Sequence, residues 1–354
     1  MTATVAPPAL AGAALVEKVA VERRRRARRR TGVTLALVAA IVVVWALSLM
    51  IGKTFYGPGV VLDVLLGRDA DGATFAVGRL RLPRATLGLL AGACFGLAGV
   101  TFQTMLRNPL ASPDIIGISS GASVAATFAI VVLGLSGAQV SLFAIVAGLG
   151  VALLIYVLSV KDGVAGTRLV LVGIGVTAML EAVTTYLLQR ASEWDVNEAM
   201  RWLTGSLNGS RWSEVLPVAV ALAVLGPVLL ALARDLETLR LGDGTASALG
   251  ARVGRTRLGV VVAAVGLIGF ATAATGPIAF VAFLAGPIAA RLVGPNGSLL
   301  LPAALTGSLL VLLADLVGQH GVGTRFPVGV VTGVLGAPFL VYLIIRSHRA
   351  GGSI

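Results

Sequence analysis

Glu181 sits near the middle of an apolar run that ends at Arg190, and an acidic group at that depth is costly in lipid. Such a carboxyl handles ions or protons, lines a polar route, or serves as a packing group hydrogen-bonded to a helix neighbour. Thr177 and Thr184 lie about one turn away and are its candidate partners. Gly52-Lys53-Thr54 has the ending of a phosphate-binding loop, whose backbone amides cradle phosphates. That pattern requires glycine at position 47, where the chain has Leu47. No nucleotide site is expected there, and any ATPase activity must reside on another chain. His320 and His348 are the only histidines and Cys94 the only cysteine, which leaves little for zinc, haem or thiolate chemistry. No metal, cofactor or catalytic residue is therefore expected. Cys94, among Gly92, Ala93 and Gly96, reads as a small packing residue. An intramembrane enzyme would need a catalytic pair such as Ser–His, to which only His320 could contribute.

The elements that must position these residues are membrane helices. Hydrophobic residues make up 57% of the 354 and charged residues 12%, with a mean hydropathy of +0.95. A soluble domain carries about a quarter charged residues, so this composition excludes a sizeable water-soluble domain. The uncharged run from Thr31 to Ile51 is long enough to cross a hydrocarbon core about 30 Å thick. Comparable runs predict spans near 32–52, 80–105, 118–135, 139–160, 167–190, 211–233, 256–274, 277–293, 299–318 and 327–346. The expected fold is all-α, a polytopic transmembrane bundle of about ten helices.

The formal charge of +12 and pI near 11.2 would suit a nucleic-acid partner, but the distribution argues otherwise. Much of the excess lies in Arg23 to Arg30, immediately before the first span and without stacking aromatics. Basic residues in that position mark a cytoplasmic flank and favour anionic lipid headgroups. The apolar run has full spanning length and no A-x-A site follows Met50, so it reads as a retained helix rather than a signal peptide. Residues 1–31 are expected to form a disordered basic tail, 32–348 the transmembrane domain, and 349–354 a second cytoplasmic tail. Alternation from an inside start brings Arg107, Lys161, Arg168, Arg234, Arg240, Arg252, Arg255, Arg257, Arg291, Arg346 and Arg349 to the cytoplasmic side. The smaller outward set includes Lys53, Arg81, Arg84, Arg190, Arg201, Arg211 and Arg325. Both termini are thereby expected inside.

Two local patterns stand out. Gly88, Gly92 and Gly96 recur every fourth residue, the spacing that lets membrane helices approach closely. Spacing alone leaves open whether they face a helix or a pathway. Asn108-Pro109 and Ser112-Pro113 then break the helix, and the run Gly117-Ile118-Ser119-Ser120-Gly121-Ala122 restarts one. Irregular backbone at membrane depth is tolerated only inside protein or along a watery path. The longest inner connection, residues 234–257, mixes charges with Gly242, Gly244 and Gly250, which suit sharp turns between short helices.

Taken in order, these motifs resemble the FecCD-type permeases of iron-siderophore and vitamin B12 ABC importers. The matching runs are Arg81-Leu82-Pro83-Arg84, then Gln103 with Arg107-Asn108-Pro109-Leu110-Ala111 and Pro113, then Trp202-Leu203-Thr204-Gly205-Ser206-Leu207. Leu241-Gly242 with Ala246 and Leu249-Gly250 resembles the family's coupling segment. Gly276-Pro277-Ile278-Ala279-Phe280-Val281, Phe326-Pro327 and Gly336-Ala337-Pro338 follow. The resemblance covers nearly everything after residue 32 and implies an ABC importer type II permease fold.

The resemblance also implies roles and partners. Arg81 and Arg84 would dock acidic residues of an extracytoplasmic substrate-binding protein, the alternative being interfacial snorkelling. Asn108, Pro109 and Leu110 would form a cytoplasmic gate, and Leu241, Gly242, Ala246, Leu249 and Gly250 would couple to separate ATPase subunits. A second permease subunit, identical or different, would complete the pathway, lined in part by the helix of Glu181, Thr177 and Thr184. The chain departs from many relatives in lacking Pro-His near Gly286-Pro287 and an arginine soon after Ala314-Asp315; Arg325 is the substitute candidate. Gln319-His320 points to the siderophore branch, making ferric siderophore the expected cargo in a bacterial cytoplasmic membrane. Cobalamin or haem is the alternative cargo, and an ion-coupled secondary transporter the alternative class.

Overall fold

The computed structural model describes residues 8–349 apart from 71, 114–116, 160–165, 295–296 and 322. Every regular element among them is a helix. Among the described residues seven helices are long and apolar enough to cross a membrane, and three shorter apolar ones complete a set of ten. The expected all-α bundle is the architecture found. Lys161 and the terminal segments 1–7 and 350–354 lie outside the described residues.

The first helix, α1, runs unbroken from Pro8 to Met50. Its 43 residues reach about 65 Å, roughly twice the thickness of a hydrocarbon core. Residues 8–31 therefore continue the helix, where a disordered tail was expected. Neither proline nor glycine interrupts positions 13–31, and alanine and arginine are strong helix formers. Arg29 also ties this extension to the body. Its guanidinium donates to the carbonyls of Arg291 and Leu292, both at 3.2 Å, at the C-terminal end of helix α12 (Val281–Val293). Those carbonyls have no partner within their own helix, so a cation there is favourable.

After the short helix α2 (Pro58–Leu65), a π-helical turn over Thr74–Arg81 leads directly into α3 (Leu82–Met105). Pro83 explains the wide turn. Its ring would strike the carbonyl four residues back in α geometry, and the Leu82 amide instead donates five residues back, to Val77. The second span is thus 32 residues long, Thr74–Met105, and begins before the proline.

Helix α3 is the centre of the bundle, and its glycines face another helix. A methyl group at Gly92 would lie 2.6 Å from Ser308 Cα, and one at Gly96 would lie 2.8 Å from the Ala303 carbonyl carbon. Both neighbours belong to α13 (Leu300–His320), whose Gly307 packs reciprocally against Gly92. Ser308 Oγ closes the contact by donating to the Leu89 carbonyl at 2.8 Å. Gly99 makes the same close approach to Ala282 of α12. Cys94 is buried in this core, as a packing residue should be.

Two of the three shorter helices are the shortest of the ten. Helix α4 (Ile118–Val131) and α12 hold 14 and 13 residues, about 20 Å each, too little to cross alone. Before α12 the turn Gly276–Phe280 is irregular backbone. Gly117 adopts φ 68° and Phe280 φ 64°, the latter a left-handed conformation that a bulky residue rarely accepts. Helices α5 (Ala138–Ser159) and α6 (Gly166–Gln189) follow α4. An outer helix not foreseen in the sequence, α7 (Glu193–Leu203), is capped by Ser192, whose Oγ accepts from the Asp195 amide.

Helix α8 (Trp212–Ala231) then gives way to two short helices, α9 (Ala233–Leu239) and α10 (Asp243–Ala248), before α11 (Val253–Thr275). Gly242 at φ 102° and Gly250 at φ 87° make the turns on either side of α10, conformations that favour glycine. The last helix, α14 (Val328–Arg349), starts beside the Gly205 loop, where the Gly329 amide donates to the Gly205 carbonyl at 3.0 Å.

Candidate functional site

Thr177, Glu181, Thr184 and Thr185 occupy one stripe of α6, as their spacing of three and four residues requires. They open onto a cleft of about 560 Å³. Across it stand Ser119, Ser120 and Ser123 of α4 and residues Pro277 to Ala279 of the turn before α12. Pro113 and the turn Pro277–Ala279 bring non-helical backbone to the cleft beside the two short helices. Non-helical backbone in a membrane protein belongs inside the protein or beside a watery cleft.

The three pathway candidates on α6 are brought together, but they do not bond to one another. Thr184 and Thr185 turn their hydroxyls back to the carbonyls of Leu180 and Glu181, at 3.0 and 2.9 Å. Among the described residues Thr177 Oγ1 is buried without a hydrogen-bond partner. Among the described residues the Glu181 carboxylate forms no ion pair, and its side chain is exposed to the cleft.

At the end of the bundle that carries the C-terminus of α1, a second pocket of about 430 Å³ gathers Arg81, Arg84 and Arg325 with Lys53, Asp315 and Gln319. All three sequence-predicted docking arginines line it. Two have internal partners. Arg84 grips Asp315 through Nε at 2.8 Å and Nη2 at 2.6 Å, and its Nη1 donates to Asn208 Oδ1 at 2.8 Å. Arg81 donates to the carbonyls of Leu49, Met50 and Thr54, stacks over the Tyr56 ring, and so caps the C-terminal end of α1. Arg325 and Lys53 form no ion pair among the described residues and stand exposed at the rim.

Asn208 joins this pocket to the rest of that end. Its Oδ1 accepts from Arg84 and from Gln319 Nε2 at 3.3 Å. The loop that holds it, residues 204–210, is fixed by the Ser206 amide donating to Thr275 O at 2.7 Å. Gly205 adopts φ 67° with the Pro277 backbone against it, too close for any side chain. Nothing in the spacing of Asn208 marked it as a shared acceptor.

The opposite end is built around Asp243. Its carboxylate accepts from Arg107 at 3.5 Å and from Arg257 at 3.1 Å. Arg107 belongs to the Asn108-Pro109-Leu110 loop and Asp243 opens α10, so the predicted gate and the predicted coupling segment are in contact. Asn108 Oδ1 accepts from the Leu110 amide at 2.8 Å, a local turn that shapes the loop after α3 has ended at Met105. Within the coupling segment Ala246 is buried, whereas Leu241 and Leu249 are 61% and 62% exposed. Gln103, the first residue of the same motif, is buried, and its Nε2 donates to Phe283 O at 3.0 Å, pinning α3 to α12.

Known proteins resemble this chain along almost all of it. The achromobactin transport system permease protein CbrC of Dickeya dadantii is 39% identical over 324 residues, covering 90% of this chain and 92% of that protein. The ferric enterobactin transport system permease protein FepG of Escherichia coli is 39% identical over 323 residues, covering 91% and 98%. A solved metal-chelate type ABC transporter in an inward-facing conformation superposes with a TM-score of 0.80 at 28% identity, covering 89% of this chain and 99% of that one. The model of the FecCD transport family matches residues 40–346, which span the helical body with its cleft and both polar ends, and the chain belongs to that family.

Proposed function

We propose that this chain is the permease subunit of an ABC importer that carries ferric siderophore across the bacterial cytoplasmic membrane. The observation that carries the reading is the cleft of Glu181, Thr177 and Thr184, onto which both interrupted helices open. A transport route at membrane depth needs such a meeting of polar side chains and irregular backbone. Siderophore as cargo is supported by the named cargoes of the two relatives.

The chain does no covalent chemistry in this reading. The arginine-rich end of α1 faces the cytoplasm, which puts both termini inside and the Arg81 pocket outside. A substrate-binding protein docks on that outer pocket through Arg81, Arg84 and Arg325, with Arg325 and Lys53 offering the charges not committed elsewhere. Separate ATPase subunits dock at residues 234–257, where exposed Leu241 and Leu249 on an aqueous face form an apolar handle. Their movement reaches Asn108, Pro109 and Leu110 through the Arg107–Asp243 contact. A second permease subunit packs beside α6, whose Leu171 and Ile174 continue the Glu181 stripe as exposed apolar side chains.

The test is reconstitution of the permease with its cognate ATPase and binding protein in proteoliposomes. Radiolabelled ferric siderophore should enter only with ATP inside, and a hydrolysis-dead ATPase should abolish entry. Uptake that survives without ATP and follows an ion gradient would assign the chain to secondary transport. Uptake of cobalamin but not of any ferric chelate would overturn the iron assignment.

A further inference from the structure

We infer that α1 carries a binding site for an anionic phospholipid, with the headgroup on Arg24 and Arg28 and the acyl chains along Leu35, Val38 and Val42. Positions 24, 28, 31, 35, 38 and 42 are spaced by three or four residues and share one face of the helix. Leu35, Val38 and Val42 are exposed on it. The opposite face is the one that packs. Leu37, Ile41 and Val44 are buried there, and Arg29 and Arg30 continue that side. Arg29 donates to the carbonyls of Arg291 and Leu292, and the Arg30 guanidinium lies beside Gly297. The outward stripe is therefore apolar from Val42 to Leu35 and cationic from Arg28 to Arg24, with Thr31 between. A phospholipid has the same profile from tail to headgroup, with the charge reversed.

The depth agrees with the profile. Residues 31–50 cover a hydrocarbon core of about 30 Å, and Arg28 and Arg24 then stand about 4.5 and 10.5 Å beyond Thr31. The headgroup layer adds about 5–8 Å beyond the core, so Arg28 falls inside it and Arg24 just outside, within about a Debye length of the phosphates. Arg23 and Arg25 flank the stripe and add to the same field, and several such charges at an anionic surface act together. Glu22 is held by Arg26 on another face of the helix. Helix α1 packs chiefly on α13, whereas the proposed coupling segment packs on α3 and α11, which sets this stripe apart from the proposed ATPase surface. The arginines also precede the family-matched residues 40–346, so nothing in the importer reading employs them. The inference needs only that α1 crosses the bilayer, and it stands whether or not the chain is an importer.

The experiment titrates the full chain in neutral detergent with phosphatidylglycerol or with phosphatidylcholine of the same acyl chains. Bound lipid is counted by native mass spectrometry. Phosphatidylglycerol should bind about tenfold more tightly, and the preference should shrink as salt is raised. Arg24→Gln together with Arg28→Gln should remove most of the preference, leave phosphatidylcholine binding unchanged and leave the lipid-free unfolding midpoint where it was. Arg190→Gln together with Arg201→Gln removes the same charge from the opposite end and should keep the preference intact. Equal binding of the two lipids, an equal loss in the opposite-end variant, or a lowered lipid-free midpoint in the Arg24 and Arg28 variant would overturn the site. Displacement of phosphatidylglycerol by inorganic phosphate at matching concentration would overturn it in favour of a free anion. Tighter binding of a short duplex DNA, or failure of the Arg24 and Arg28 variant to assemble with the ATPase in lipid-free detergent, would overturn it in favour of those partners.

Discussion

The guanidinium of Arg84 and the carboxylate of Asp315 lock α3 to α13 through two hydrogen bonds, at 2.8 and 2.6 Å. The pair lies at the rim of the pocket beside the C-terminal end of α1, with side chains 20% and 9% exposed. A residue expected to reach out to a partner protein is thus held inward by its own chain, and it presents a shaped, partly neutralised surface. The same fork reaches Asn208, so any protein that presses on this pocket presses on the 204–210 loop as well.

Breaking that pair from either side should cost stability. Arg84→Ala or Asp315→Asn leaves a partly buried charge without its partner, an expected loss of about 1–3 kcal/mol. Arg84→Lys keeps the charge but not the planar fork and should lose nearly as much. Thermal unfolding of the purified chain, arranged as a double-mutant cycle, measures the coupling. Additive losses in that cycle would contradict the geometry described.

The close approach of α3 and α13 makes a sharp distinction among glycines. Gly92→Leu drives side-chain atoms into Gly307 and Ser308 and should destabilise by at least about 1–3 kcal/mol. Gly244→Ala, in the exposed helix α10 with open space around it, should change stability by less than about 1 kcal/mol. Comparing the two melting midpoints tests whether α3 packs on α13 along this glycine stripe.

Asp243 should matter more for transport than for folding. Its ion pairs are roughly half exposed on the Asp243 side, so Asp243→Asn should cost less than about 1 kcal/mol of stability. The number of cargo molecules moved per ATP hydrolysed should fall, because the proposed gate loop loses its tie to the proposed coupling segment. An unchanged ratio in proteoliposomes would exclude the Arg107–Asp243 contact from the coupling route.

Gln103 supplies a fourth test, within the core. Gln103→Leu removes the donor to Phe283 O and leaves that carbonyl unpaired, an expected cost of about 1–3 kcal/mol. Gly286→Ala should be comparably harmful, because its methyl group would collide with the Gln103 amide. Hydrogen exchange at the start of α12 should rise in both variants, since Phe283 belongs to its first turn.

What the sequence determined by itself was whatever depends on local or additive physics. Hydropathy summed over some twenty residues sets the number of spans, because transfer into lipid is nearly additive along a helix. Asn108-Pro109 and the glycines at 242 and 250 announce their turns, since backbone limits act on a few neighbours. The threonine and glutamate stripe on α6 follows from helical spacing alone. The tail was misread for a reason of the same kind: charge density suggested disorder, whereas alanine and arginine continued α1 once its apolar half was anchored.

Only the tertiary structure decided which surfaces these residues meet. Gly92 faces α13 and not a path; Arg84 turns to Asp315, 231 positions away; Asp243 takes Arg107 from one segment and Arg257 from another. Pair contacts of that kind depend on how helices are arranged in space, and no periodicity along one chain encodes the distance between two of them. The Glu181 carboxylate shows both halves of the lesson. Its depth could be read from the sequence; the cleft it shares with α4 and the turn before α12 could be seen only with those helices in place.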